Sequence, residues 1–449
     1  MAKVTPCGVK WAILESTRKR ALTHMTNLSE LKDRGRNPRS APAASTPTNG
    51  GAFNALRKYR DFRLLLLSTL FVGTAQFMQQ VAMGWIALEL TDSPLFVGIV
   101  AFSAGLAFIL VAVPAGSYID QLDRRLMLRV AQGASALIAL VLAIDVLSGY
   151  VQPWHLPIGA FLTGSMSAIL FPTQQAIAPS LVDRSEISNA VGLMSAVQSL
   201  SRVVGPTIAG TVIGFVSTGG SFLIQAFMVG TAFVMATLIR LPARPTVQTG
   251  PKGIARVLSG FSIVWNREDL RSLFALGFIT PILILPFVQF LNIFARDILD
   301  IGASGLGYLM AISGVGSVAG ALFVAQRSMR QGTARLQPYL LIVVAVAVIG
   351  IAVSTSVVLT FALLFIEGLV AAVMLSTNMA LVQMRISDDN RGRVLGAYSL
   401  GFGLLPVAAL PVGVGANLGN TQFAVGLSAT IALVLAIMIA SRSTVIREL

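Results

Sequence analysis

The sequence predicts an all-α polytopic membrane protein: twelve transmembrane helices in two pseudo-symmetric six-helix halves, with both termini cytoplasmic. Three observations carry that prediction. Only 12% of the 449 residues are charged, against about 25% in a soluble globular chain. Residues 64–88, 93–119, 272–295 and 301–326 contain no charge at all, and a bilayer span needs about 20 apolar residues. When the chain is folded into spans, 31 of its 33 lysines and arginines fall on one face. Lys and Arg gather in cytoplasmic loops, so that face is the cytoplasmic one. The exceptions are Arg296, on the opposite side, and Arg202, inside a span.

Residues 1–56 form a basic tail, expected to be dispensable. Within it "RNPRSAPAASTPTNGG" (36–51) has the composition of a disordered linker, and "VKWAILESTRKRAL" (9–22) could form a short interfacial helix. The order of segments that marks a signal peptide is absent. The first half, residues 57–239, holds helices centred near residues 76, 106, 138, 168, 203 and 229. The central loop, residues 240–271, contains "IARVLSGFSIVWN" (254–266), whose apolar residues recur at helical spacing. That spacing predicts an amphipathic helix along the inner membrane surface. The second half, residues 272–441, holds helices centred near 284, 314, 345, 370, 404 and 430, and residues 442–449 are a short tail.

Some charge-free runs are too long for one span. Residues 394–441 as a single helix would reach roughly 72 Å at 1.5 Å per residue, so they must fold back. Turn residues mark where such runs reverse: "GYVQPWHLP" (149–157), "STGGS" (217–221), "STS" (354–356) and "GVGANLGN" (413–420).

The halves repeat at a constant offset of 204 residues. Gly98, Ala107, Val111, Ala115 and Gly116 match Gly302, Ala311, Val315, Ala319 and Gly320, and Ala176, Gly192 and Ser195 match Ala380, Gly396 and Ser399. Two parallel six-helix repeats are the arrangement expected of a rocking secondary transporter with its site near the midplane. Other classes are excluded. The net charge of +14 is mostly the topology signal, so nucleic-acid binding is not expected. One cysteine, Cys7, and two histidines, His24 and His155, rule out a disulfide framework and argue against a metal centre.

After the second span comes "GSYIDQLDRRLMLR" (116–129), with a glycine for close helix approach, then an acid and two arginines in a very short turn. Such a cluster can latch one conformation and release in another; equally, it can be an ordinary cytoplasmic anchor. This segment resembles the signature loop of the major facilitator superfamily through Gly116, Asp120, Arg124 and Arg125. The segments at 77–100, 184–210 and "DNRGRVLGAYSL" (389–400) are similar to its enterobactin-exporter-like and macrolide-efflux-like branch. The resemblance covers residues 57–440. It implies the twelve-helix fold, alternating access, and export of a small molecule driven by an ion gradient, most often protons. Arg391 and Arg393 would join the latch, and Gly205, Pro206 and Gly210 match the family's helix 5 motif. Two departures stand out: helix 4 lacks the arginine of many drug/proton antiporters, and Gln174 stands where this branch often has arginine.

Arg202 shares a helical face with Ser195, Gln198, Ser199, Pro206 and Ala209. That small, polar face is not suited to lipid, and a charge at such depth marks function. Pro206 cannot bond the carbonyl of residue 202, which loosens the helix there. A partner carboxylate is expected, and Glu367, the deepest acid, is the first candidate for a proton carrier, ahead of Asp145. Burial disfavours a charged carboxylate while a nearby arginine favours it, so a group alternating between such settings would load and release protons. Against this stands a static internal ion pair or a carboxyl kept neutral. The expected cavity is amide-rich and aromatic: Gln76, Gln80, Gln198, Phe287, Gln289, Phe290 and Asn292.

The expectation is therefore a proton-coupled exporter of a small amphipathic organic molecule, drug-, macrolide- or siderophore-like. It would be a multi-pass protein of the cell inner membrane, acting as a monomer without cofactor and not as an enzyme. No Walker motif is present, so ATP is not the direct energy source. A solute importer or facilitator, or a non-transporting sensor or assembly factor on the same scaffold, remain the alternatives.

Overall fold

The computed structural model describes residues 54–118, 123–183, 186–240, 254–326 and 333–442, and among them every regular element is helical. After a short turn of helix at Asn54–Lys58, α1 runs Arg60–Thr91, α2 Pro94–Tyr118, α3 Arg124–Leu147, α4 His155–Ile177, α5 Ile187–Phe215 and α6 Thr218–Leu238. Ile254–Trp265 is a separate helix of twelve residues. Then come α7 (Glu268–Ile298, in several segments), α8 (Gly302–Ala325), α9 (Gln337–Val353) and α10 (Val357–Arg385). The last two are α11 (Asp388–Val407, continued by Ala409–Leu418) and α12 (Thr421–Arg442). Residues 1–53, including Cys7 and His24, and Asp120 of the predicted latch lie outside the described residues.

Eleven of these helices are long and apolar enough to cross a bilayer. The remaining one is α5, whose 29 residues include Ser195, Gln198, Ser199, Ser201 and Arg202. Its composition follows from its position, because α5 is packed between α1 and α8. Small residues let backbones approach there, where a lipid-facing helix would carry large apolar ones.

The turns form where the sequence marks them. Ser217 caps α6 by accepting from the amide of Gly220 at 3.0 Å, and Ser356 caps α10 through the amide of Leu359 at 3.5 Å. Gly149, at φ 75°, closes the turn after α3, a left-handed conformation that glycine adopts without steric cost.

The seventh helix is not regular. Pro281 and Pro286 cannot donate backbone bonds, and the chain answers with a wide π turn at Thr280–Ile284, then a tight 3₁₀ stretch at Leu285–Phe290. A second wide turn follows at Phe294–Ile298, closed by the amide of Leu299 on the carbonyl of Phe294 at 2.8 Å. The residues beyond Pro281 are thereby rotated away from the faces that a uniform helix predicts.

Packing repeats between the two sets of six helices. In the first, α2 packs on α4 and α3 on α6; in the second, α8 packs on α10 and α9 on α12. The sets meet along α5–α8 and α2–α11. The end of the bundle that carries Lys58, Arg124, Arg267 and Arg385 is called the basic end here, and the other the far end. The main apolar core joins both sets toward the far end, through Trp85, Leu88, Val97, Phe290, Phe294 and Val412. At the basic end the core is split in two. One cluster, with Phe62, Leu128, Ile177 and Met194, belongs to the first set. The other, with Leu273, Phe274, Val394 and Tyr398, belongs to the second. The halves are thus cemented at one end and separate at the other.

Candidate functional site: a charged cavity between the halves

Beside this apolar core, backbones also meet directly across the seams. Gly210 of α5 faces the backbone of Ala303 and Gly307 on α8, and Gly98 of α2 faces Ala409 and Gly413 on α11. A Cβ at Gly210 would lie 2.7 Å from the Ala303 carbonyl oxygen, closer than real Cβ contacts allow. Polar ties bridge the same level. Asn292 donates to the carbonyl of Gly84 at 2.5 Å, Gln80 to Gln289 Oε1 at 3.3 Å, and Ser304 to the carbonyl of Gly210 at 3.4 Å. Nearest the far end, Arg296 ion-pairs with Asp92 of the α1–α2 turn at 2.8 Å and donates to the Leu88 carbonyl at 3.2 Å.

Behind this seal lies a cavity of about 460 Å³, lined by both sets of helices. That is within the range of roughly 300–1,000 Å³ for small-molecule sites. Its walls include Gln76, Phe77, Gln79 and Gln80 from α1, Thr163 and Ser167 from α4, Arg202 from α5, and Glu367 from α10. The α5 face that bears Arg202 shows how solvent reaches it. Ser195 and Arg202 are exposed, whereas Pro206 and Ala209, farther along the same face, are buried. Access is therefore from the basic end.

Arg202 and Glu367, the pair singled out from the sequence, line this one cavity. They make no ion pair within 4 Å. The guanidinium instead lies over the ring of Phe77, 5.6 Å from its centroid. Glu367 is 2% exposed, and its Oε2 accepts from the hydroxyl of Ser313 at 3.0 Å. The carbonyl freed by Pro206 is that of Arg202, and Gly314 of α8 lies against it. The glycine of the helix 5 motif nearest the charge, Gly205, faces the Thr74 carbonyl of α1.

Several predicted residues stand elsewhere. Asp145 pairs with His155 across the α3–α4 turn at 2.6 Å, outside the cavity lining. Phe287 and Phe290 are buried in the core, because the 3₁₀ stretch turns them inward while Gln289 and Val288 reach the cavity. Asn292 serves the seal, and Gln198, half-buried on α5, does not line the cavity. Of the latch residues, Arg124 donates to the Ala176 carbonyl at 3.2 Å and Arg125 to that of Thr237 at 3.0 Å, both within the first set. The carbonyl of Arg393 faces Gly260 of the Ile254–Trp265 helix. Gly116 falls near the end of α2, and the side chain of Arg391 lies outside what is described.

Sequence reasoning missed Gln79, Ser313 and Phe77. Gln79 donates to Thr163 at 2.8 Å, parallel to the bond from Gln76 to Ser167 at 2.7 Å. Across the repeat Thr163 and Gly164 correspond to Glu367 and Gly368, but Gln79, Phe77 and Ser313 fall opposite Leu283, Pro281 and Ile109, so the repeat carries no signal for them.

A family model described as transmembrane secretion effector matches residues 51–448. The staphyloferrin A transporter of Staphylococcus aureus is 25% identical over 346 residues, covering 76% of this chain and 85% of that one. The multidrug efflux pump Tap of Mycobacterium tuberculosis is 27% identical over 403 residues, covering 86% and 94%. Among solved structures, a POT family transporter in complex with 5-aminolevulinic acid shares the fold with TM-score 0.71 at 12% identity, covering 86% and 97%. These relatives are membrane transporters rather than enzymes.

Proposed function

The chain belongs to the transmembrane secretion effector family of the major facilitator superfamily, and from that premise we propose that it exports a small amphipathic organic molecule by proton-coupled antiport. The observation that carries this reading is the cavity between the halves, closed at the far end, open toward the basic end, and holding one arginine and one carboxyl. In the proposed topology all twelve helices span the cell membrane, the chain acts as a monomer, and both termini and the basic end face the cytoplasm. The domain limits are those read from the sequence. The proton gradient is the energy source, and no cofactor takes part.

In this arrangement the structure represents the inward-open state. Cargo enters from the cytoplasm and settles between the amide wall of α1 and the apolar residues of α2, α8 and α11. Opening outward requires the ties of Arg296, Asn292 and Gln80 to part while contacts form at the basic end, where Gly116, Asp120, Arg124, Arg125, Arg391 and Arg393 would act as the latch. The Gly205–Pro206–Gly210 stretch of α5 provides the pivot. Glu367 takes a proton from outside and releases it inside, and Arg202 biases that exchange through its charge. The aromatic and amide lining supports an amphipathic or drug-like cargo, as do the efflux relatives.

Purified protein in liposomes is expected to move a lipophilic compound when a proton gradient is imposed. No pH-dependent flux across a broad panel of siderophores, macrolides and dyes would overturn the proposal.

A further inference from the structure

Two arginines away from the cavity hold more hydrogen-bonding capacity than the protein uses. Arg125 and Arg129, one turn apart on α3, both donate through Nη2 to the carbonyl oxygen of Thr237 at the end of α6, at 3.0 and 2.7 Å. The two Nη2 atoms therefore lie within about 6 Å of each other. Both Nε atoms are buried without an acceptor. Each guanidinium has five N–H donors, and a carbonyl carries no net charge to offset two cations. Neither arginine forms an ion pair with a described residue, and the Oδ1 of neighbouring Asp123 accepts from the Arg125 backbone amide at 2.9 Å. Among the described residues, two like charges are thus held together with no carboxylate paired to either guanidinium.

Their surroundings are apolar and outward-facing. Leu126 and Val130, next to the arginines on α3, are 56% and 59% exposed, and Val234 and Leu238 of α6 are 55% and 49% exposed. On a membrane protein such a stripe meets acyl chains. Arg240 follows Thr237 by three residues. The ligand that complements this corner has a negative head able to accept from forked guanidiniums and an apolar body.

We propose that Arg125 and Arg129, at the Thr237 end of α6, bind the phosphate headgroup of an anionic membrane lipid whose chains lie along Leu126, Val130, Val234 and Leu238. Basic pockets between membrane helices recognise lipid headgroups in this way. In the orientation proposed above, the lipid belongs to the cytoplasmic leaflet; the site itself does not depend on what the cavity transports.

The test is thermal unfolding of the full-length chain in neutral detergent, titrated with phosphatidylglycerol, phosphatidylcholine or inorganic phosphate. Phosphatidylglycerol should raise the midpoint saturably by roughly 2–5 °C, and phosphatidylcholine should not. The increment should vanish in Arg125→Gln/Arg129→Gln, whatever its starting midpoint, and survive in part in the double Lys variant. Should the Gln pair not fold, Leu126→Glu places a competing carboxylate three residues before Arg129 on the same helix, and it too should lose the increment. An unchanged increment in these variants, or an equal one from phosphatidylcholine, overturns the proposal. A full increment from inorganic phosphate alone overturns the lipid assignment.

Discussion

Thr163 and Glu367 occupy the same place in the two halves, yet they do different chemistry. Each is followed by a glycine that packs against a carbonyl of the neighbouring helix: Gly164 on Ala104 of α2, Gly368 on Ser313 of α8. Each lines the cavity and accepts from one side chain, Thr163 from Gln79 and Glu367 from Ser313, while the Thr163 hydroxyl also donates to the Gly159 carbonyl of its own helix at 2.8 Å. Across the repeat Arg202 corresponds to Pro406, which also lines the cavity. The scaffold is duplicated, while the carboxyl sits in one copy and the guanidinium in the other. Packing tolerates the repeat because glycine against a carbonyl is indifferent to the residue beside it. A charge cannot be repeated so freely, since each buried one is costly.

Exchanging the chemistry separates the two positions most directly. Glu367→Gln should abolish uphill transport while leaving substrate binding measurable, whereas Thr163→Val should leave uphill transport largely intact. Flux and binding assays on the two variants decide this, and unchanged uphill transport by Glu367→Gln removes the residue from the mechanism. Next in size are the two glycines. Gly164→Val and Gly368→Val should each cost about 1–3 kcal/mol through overpacking, by similar amounts in denaturation if the scaffold is truly duplicated. Thr163→Val itself removes the bond from Gln79 and the hydroxyl's bond to its own helix and should cost about 1 kcal/mol of stability, readable in the same denaturation experiment.

The smallest effect is expected at the basic end. Asp183 accepts from Lys58 at 2.8 Å and Tyr59 at 2.6 Å, while its counterpart across the repeat, Ser387, accepts from Asn390. The bonds from Lys58 and Tyr59 hold the Asp183 carboxyl below the usual carboxylate range. A depressed acid stabilises the fold above its unfolded pKa of about 4, and that contribution fades as pH falls through the lower folded value. Asp183→Asn should therefore flatten the acid side of the pH–stability profile slightly, because the pair is exposed and screened. An unchanged profile would show that the tie contributes nothing.

Much of this was legible in the sequence. Hydropathy and turn residues located the helices, since both report directly on solvent. Arg202 and Glu367 could be named because charges in apolar spans are few. What escaped depended on geometry between elements. Pro281 and Pro286 announce a broken helix, but which way Phe287, Phe290 and Asn292 then point depends on whether the chain widens or tightens there. That Asp145 meets His155 is set by the α3–α4 turn. Ser313 and Gln79 were passed over because hydroxyls and amides in membrane helices mostly bond their own backbone or a neighbour, as Ser103, Thr207 and Thr231 do here.

The glycine contacts that join the halves have an evolutionary consequence. At Gly210 on Ala303 and Gly307, and at Gly98 on Ala409 and Gly413, backbone meets backbone, so these contacts encode little about the side chains around the cargo space. Mutation can enlarge, shrink or repolarise that space through Gln76, Gln79 or Leu405 without those glycine contacts having to be solved again. A lineage built on such a joint can diversify its cargo while its moving parts stay fixed.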